Sequence, residues 1–260
     1  MALLSIQGLT VRFGGILALD GVSFDVEKGS IVGLIGPNGA GKTTLFNVVT
    51  RVYQPQMGKV LFDGASILRT RADQVIRRGI ARTFQNVELF ARMTVLDNVL
   101  VGLHSQIETP AYSLAAALRL PNARRVEREA LERAHEALAI VGIRELALRP
   151  VLGLPYGTMK AVELARALVS RPRLVLLDEP AGGLNHDEVA QLVNRFRRIH
   201  RDFGITMLIV EHHMNLVMRV SDKVICLDFG RKIAEGSPRE VQNDPRVIEA
   251  YLGTEEHGAA

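Results

Sequence analysis

A chain of 260 residues is long enough for one large α/β domain with a full core. With 47% apolar and 23% charged residues it has the make-up of an ordinary soluble globular protein, and its net charge of +4 reads as a mildly basic solvated surface. A single cysteine, Cys226, excludes an internal disulfide and a thiolate-based zinc site, and no run nears the ~18–20 apolar residues that span a bilayer.

The opening MALLSIQGLTVRFGG lacks the basic and long apolar regions of an export signal, so any membrane role is expected to run through partners. LLSIQ, LTVRF, VSFDV and KVLFDG, the last closing on an Asp63-Gly64 turn, predict short strands of an N-terminal antiparallel β subdomain. SIVGLIG, between them, predicts a strand of the fully buried kind. Residues 86–155 are rich in Ala, Leu, Arg and Glu and hold no convincing strand. In RVEREALERAHEALAIVG the apolar Val126, Ala130, Ala134, Leu138 and Val141 recur at helical spacing, and Pro110 and Pro121 divide the region. It reads as an α-helical subdomain inserted in the α/β core. Arg124-Arg125 and Arg197-Arg198 are interleaved with Glu or apolar residues, so no nucleic-acid partner is expected.

Further along, residues 158–170 predict a helix, LVLLD a strand, DEVAQLVNRFRRIHRDF a helix and ITMLIV a strand. A short helix at MNLVMRV and the strand KVICLD follow, with Cys226 as a small buried hydrophobe. Buried strands alternating with amphipathic helices indicate a largely parallel sheet covered on both faces. Residues 1–260 are read as a single domain, with the tail 253–260 expected to fray.

SIVGLIGPNGAGKTTLFNVV contains the spacing G-x-x-x-x-G-K-[ST] at Gly36, Gly41, Lys42 and Thr43, between an apolar strand and a helix-forming run. Main-chain N–H groups must converge there on phosphate oxygens, and the glycines permit the close approach. The helix beginning near Thr43 adds its unpaired N–H groups, Lys42 supplies a point charge for the β- and γ-phosphates, and the Thr43 hydroxyl can ligate Mg²⁺. LVLLDEP sets Asp178 and Glu179 at a strand's carboxyl end, where ligands of open α/β sheets bind. Asp178 is expected to face the metal, and Glu179 to act as general base on an attacking water. Gln85 after IARTF and His212 after ITMLIVE stand on the same edge. Gln85 is a candidate sensor of water, metal or γ-phosphate, and His212 a candidate donor to the γ-phosphate.

These residues, in this order, resemble the ATP-binding subunit of ABC transporters, an α/β P-loop NTPase. GPNGAGKTT is similar to Walker A, which implies that Gly36, Asn38, Gly39, Gly41, Lys42, Thr43 and Thr44 contact ATP; LVLLDEP is similar to Walker B. Gln85 matches the Q-loop, Gly183–Asn185 the D-loop and His212 the switch histidine. Phe13 stands where the family stacks an aromatic ring on adenine; because it alternates with Val11, core packing is the alternative. The helical insert, AGGLN, IVEHHMNLVM and NDPRVIEAYLG resemble the ATP-binding subunits of branched-chain amino acid importers, with urea and amide importers also similar. The resemblance implies a peripheral protein at the cytoplasmic face of the cell membrane, using ATP and Mg²⁺. It would pair head-to-tail with a second ATPase subunit, bind integral permease subunits and serve a periplasmic or extracellular solute-binding protein indirectly. Val87, Leu89, Phe90 and Met93 would dock the permeases or else pack beneath the insert. A soluble ATPase acting on DNA or ribosomes is the alternative, but the chain has neither sustained heptads nor a second phosphate loop.

One motif departs from the pattern. The family's signature typically reads LSGGQ, and here it is LPYGT, residues 154–158. Pro155 brings neither the usual serine hydroxyl nor a main-chain N–H. Tyr156, Gly157 and Thr158 remain as the contacts to the partner's nucleotide, with the Thr158 hydroxyl expected to cap the helix. Such an altered signature favours a heterodimer over a homodimer, since a different partner then completes this chain's own site.

Overall fold

The structure, a computed structural model, describes residues 1–83, 85–107 and 121–252. The expected fraying of 253–260 and the break at Pro110 lie outside these residues. Two compact units emerge, Met1–Val75 with Leu176–Ala260, and Ile76–Val175. The second unit contains the expected helical stretch 86–155 and extends beyond it at both ends.

In the first unit, β1 (Ala2–Phe13) pairs antiparallel with β2 (Ile16–Glu27) and with β4 (Met57–Phe62), and β5 (Ala65–Ser66) pairs with β4. LLSIQ and LTVRF, expected as two strands, are one: β1 continues through Gly8, with register shifts against both neighbours around it. Asp63 and Gly64 both take positive φ, 52° and 76°, as a two-residue hairpin turn requires. A second sheet is built on β3 (Ile31–Ile35), which runs parallel to β8 (Thr206–Val210) and to β9 (Lys223–Asp228). Every residue of β3 and β8 is buried, as for strands covered on both faces. β7 (Leu174–Asp178) lies beside β8, and β10 (Arg231–Gly236) adds an antiparallel edge to β9.

Helix α1 (Lys42–Val49) follows β3. In the second unit β6 (Ile80–Arg82) precedes α2 (Val95–Val101), α3 (His104–Ile107), α4 (Pro121–Val141) and α5 (Tyr156–Leu168). The apolar stripe of α4 is buried at Ala130, Ala134, Leu138 and Val141, with Val126 half-buried, and packs on α2 and α5. Back in the first unit, α6 (His186–Phe203) starts on an Asn185/Glu188 capping box and stops at Gly204 in the left-handed region. Its buried residues Leu192, Val193, Phe196 and Ile199 form one face. The chain closes with α7 (Met214–Val220), α8 (Pro238–Gln242) and α9 (Pro245–Leu252).

Candidate active site

β3 delivers the chain into the glycine loop, and α1 carries it away. Gly36 has φ 148°, and a Cβ there would run into the Leu227 carbonyl of β9. Gly41, at φ 98°, would place a Cβ 2.6 Å from the Ala18 carbonyl oxygen. Both passages therefore need glycine. Gly41 caps α1 with no side-chain hydrogen bond, so the first-turn N–H groups face an outside acceptor. Lys42 is 7% exposed, and its ammonium donates to the carbonyls of Gly36 at 2.6 Å and Pro37 at 2.8 Å. Burial holds its pKa below the ordinary lysine value, with Glu179, Cys226 and Asp178 pulling the other way. A cleft of about 320 Å³ opens over this loop, lined by Ile16–Ala18, Asn38–Thr44, Glu179 and Phe229. It brings Asn38, Gly39, Gly41, Lys42, Thr43 and Thr44 of the expected phosphate-binding residues together with the candidate base, whereas Gly36 does not line it. Phe13 is 43% exposed and meets Tyr53 edge-on, ring centres 4.9 Å apart, so it is not a core residue. Phe229, which lines the cleft from the β9–β10 turn, was not legible in the sequence.

The strand ends supply the acids. Asp178 closes β7 and is buried. Glu179 follows with φ 46°, a left-handed conformation that costs a non-glycine residue about 1–3 kcal/mol and clusters at functional sites. Its N–H donates to the Val210 carbonyl of β8 at 2.9 Å, which fixes the bend. His212 is exposed, and its Nδ1 lies 3.8 Å from Glu179 Oε2; His213 packs its ring against that of His212. Thr43, exposed at the start of α1, and Asp178 offer a hydroxyl and a carboxylate. Among the described residues no cluster of three or more His, Cys, Asp or Glu could hold a metal alone. That donor set fits Mg²⁺, a hard ion that usually keeps water and substrate phosphate among its ligands.

Two residues that sequence reasoning did not single out belong to this first unit. Glu211, the residue before His212, is fully buried and accepts three main-chain N–H groups. Tyr251, in α9, accepts the Gly36 N–H at 2.9 Å through its hydroxyl oxygen. An acid at the end of the apolar run ITMLIV was the only available signal for Glu211, and Tyr251 left none.

Gln85 and the altered signature lie in the second unit. Gln85 is exposed, and its carbonyl accepts a 2.8 Å bond from Lys160 on α5. Arg166, also on α5, donates to the Glu88 carbonyl at 2.7 Å, and Asn98 exchanges hydrogen bonds with the Phe90 main chain. The segment after Gln85 is thereby pinned to α5 and α2, with Phe90 and Met93 exposed and Val87 and Leu89 half-buried. At the signature, α5 begins at Tyr156 with Pro155 as N-cap and no side-chain cap. Thr158 does not cap: it sits inside the first turn, and its N–H donates to the Pro155 carbonyl at 3.0 Å. The N–H groups left for an outside acceptor are those of Tyr156 and Gly157.

A sequence model of the ABC transporter family matches residues 19–182. The chain belongs to this family. A second model, described as branched-chain amino acid ATP-binding cassette transporter, matches residues 231–257. The chain is 43% identical to the high-affinity branched-chain amino acid transport ATP-binding protein BraF of Pseudomonas aeruginosa, over 96% of this chain and 98% of the relative. It is 42% identical to LivG, which carries the same description, of Escherichia coli, with the same coverage. Among solved structures, the ADP conformation of MJ1267, an ATP-binding cassette of an ABC transporter, is similar with TM-score 0.84 and 34% identity. That likeness covers 97% of this ABC ATPase and 99% of MJ1267.

Proposed function

We propose that this ABC ATPase powers a membrane importer of branched-chain amino acids from the cytoplasmic face of the membrane. The observation that carries the reading is similarity over nearly the full length to BraF and LivG, joined to the separate match over 231–257. Among the described residues no helix is long and apolar enough to cross a membrane. Attachment then runs through permease subunits, for which the exposed Phe90 and Met93 are the docking residues.

The chemistry follows from the chain's own groups. The first-turn N–H groups of α1 and the loop glycines hold the phosphates of ATP. Lys42, whose ammonium is held at the loop by the carbonyls of Gly36 and Pro37, offers its charge to the β- and γ-phosphates. Thr43 and Asp178 would hold Mg²⁺, and the ion would supply neutralisation of phosphate charge when bound. Glu179 accepts the proton of a water that attacks the γ-phosphorus as the bond to the bridging oxygen of ADP breaks. His212, 3.8 Å from Glu179, donates to a γ-phosphate oxygen. Phe13 offers its open face to adenine. In trans, Tyr156, Gly157 and Thr158 meet the partner's nucleotide, and the missing serine hydroxyl favours a heterodimer in which another subunit completes the site of Lys42.

The test is reconstitution with the permease subunits in vesicles. Glu179→Gln is expected to retain ATP binding and to abolish both hydrolysis and leucine uptake. Turnover near wild type would remove Glu179 as base. ATP-driven uptake of urea or an amide in place of leucine would replace the proposed solute.

A further inference from the structure

Glu211 is a buried carboxylate in the first unit, and the chemistry above leaves it without a task. It directly follows β8, whose five residues are all buried, and is itself 0% exposed. A buried charge is tolerated only where hydrogen bonds replace its lost water. Glu211 has three from the main chain: Oε1 accepts the Ala181 N–H at 2.6 Å, and Oε2 accepts those of His212 at 3.0 Å and His213 at 3.1 Å. Its ion-pair contact among the described residues is His212 Nδ1, 3.9 Å from Oε2.

The donors come from two segments distant in the chain. Ala181 opens the turn that leaves Glu179. Gly182 donates back to the Glu179 carbonyl at 3.1 Å, Leu184 to that of Ala181 at 3.1 Å, and the turn ends on Asn185, the cap of α6. His212 and His213 open the other segment, which leads into α7. One carboxylate therefore clamps the turn after the candidate base to the turn that presents the candidate γ-phosphate donor. Both oxygens are needed, one for each segment. A neutral amide cannot replace them, because its NH₂ would face a main-chain N–H.

We propose that Glu211 is a positioning residue for hydrolysis, the buried link that holds the Glu179–Asn185 turn and His212 in one geometry, so that displacing either turn displaces both. The proposal rests on the hydrolytic reading given above. It does not place Glu211 in contact with ATP, and the phosphate loop is built without it.

The experiment uses the assembled transporter and four variants: Glu211→Gln, Glu211→Asp, His212→Ala and the double variant Glu211→Gln/His212→Ala. For Glu211→Gln, kcat for ATP is expected to fall by roughly ten- to a hundredfold, the effect of one lost hydrogen bond to a charged group, with KM for ATP little changed. In the His212→Ala background the same change is expected to cost less than in the wild type, because only the Glu179 turn is then left to position. Glu211→Asp keeps both acceptors on a shorter stem and is expected to recover part of kcat; it carries the test if Glu211→Gln does not accumulate. Unchanged kcat in Glu211→Gln would overturn the proposal. So would additive losses in the double variant, or a parallel fall in stability and activity that Glu211→Asp does not relieve. Glu179→Gln serves as the separate control: if it hydrolyses ATP at the wild-type rate, the hydrolytic reading fails whatever Glu211 does.

Discussion

Replacing Tyr251 by Phe removes one oxygen and keeps the ring. The hydroxyl accepts the Gly36 N–H at 2.9 Å, and Gly36 is buried, so its N–H is left without that acceptor. An unpaired buried donor costs about 1–3 kcal/mol. For a chain of this size, at about 2–4 °C per kcal/mol, Tm should fall by roughly 2–12 °C. The ring itself packs against a cluster that includes Ile35, Val217 and Cys226, and those contacts persist in the variant. Burial, with Cys226 nearby, pushes the phenol from its ordinary 10.0 up to about 12, against the smaller opposing pull of the Gly36 N–H. A raised folded-state value means the neutral phenol is the stabilising form. Its contribution is intact below about pH 10 and lost as pH rises through about 12. Thermal melts of wild type and Tyr251→Phe should therefore differ at neutral pH and converge in strong alkali. Because the carbonyl of the same glycine holds Lys42, ATP should also bind the variant more weakly. Equal melting temperatures at neutral pH would refute the reasoning.

Two other outcomes are expected. Changing Pro155 to Ser and Thr158 to Gln should restore a γ-phosphate contact in trans and raise ATP affinity or turnover of the assembled transporter by roughly tenfold or more; no gain would show that LPYGT is not impaired. Cys226 is fully buried, and burial pushes its thiol up to about 12. Alkylation of the folded protein at mildly alkaline pH should then be very slow and should rise to the rate of a free thiol on unfolding; fast labelling of the folded chain would contradict that burial.

Where chemistry constrains residue type, the sequence could be read. A phosphate loop needs glycines, a lysine and a hydroxyl at fixed spacing, and Gly36, Gly41, Lys42 and Thr43 announce it. The buried strands β3, β7 and β8 announce themselves by uninterrupted apolar runs. What escaped was held by main-chain partners, which residue identity does not encode. Glu211 binds three N–H groups and Tyr251 receives one, and neither pairing leaves a motif. The break seen between LLSIQ and LTVRF was Gly8, which shifts register without ending the strand. Thr158 was expected to cap α5, but Pro155, extended at φ −55° and ψ 147°, takes the cap position and leaves the threonine within the first turn. β10 and α8 carry little apolar signal, although Ser237-Pro238 and Glu240 spell a capping box with proline at the first position.

The left-handed backbone at Glu179 has a consequence for evolution and for engineering. A glycine there would relax the bend and release the side-chain entropy of a half-buried acid, so selection for stability alone would drive this position away from glutamate. The residue assigned as the base is thus one the fold by itself would discard, and a thermostable variant library screened without an activity readout should be expected to lose it early.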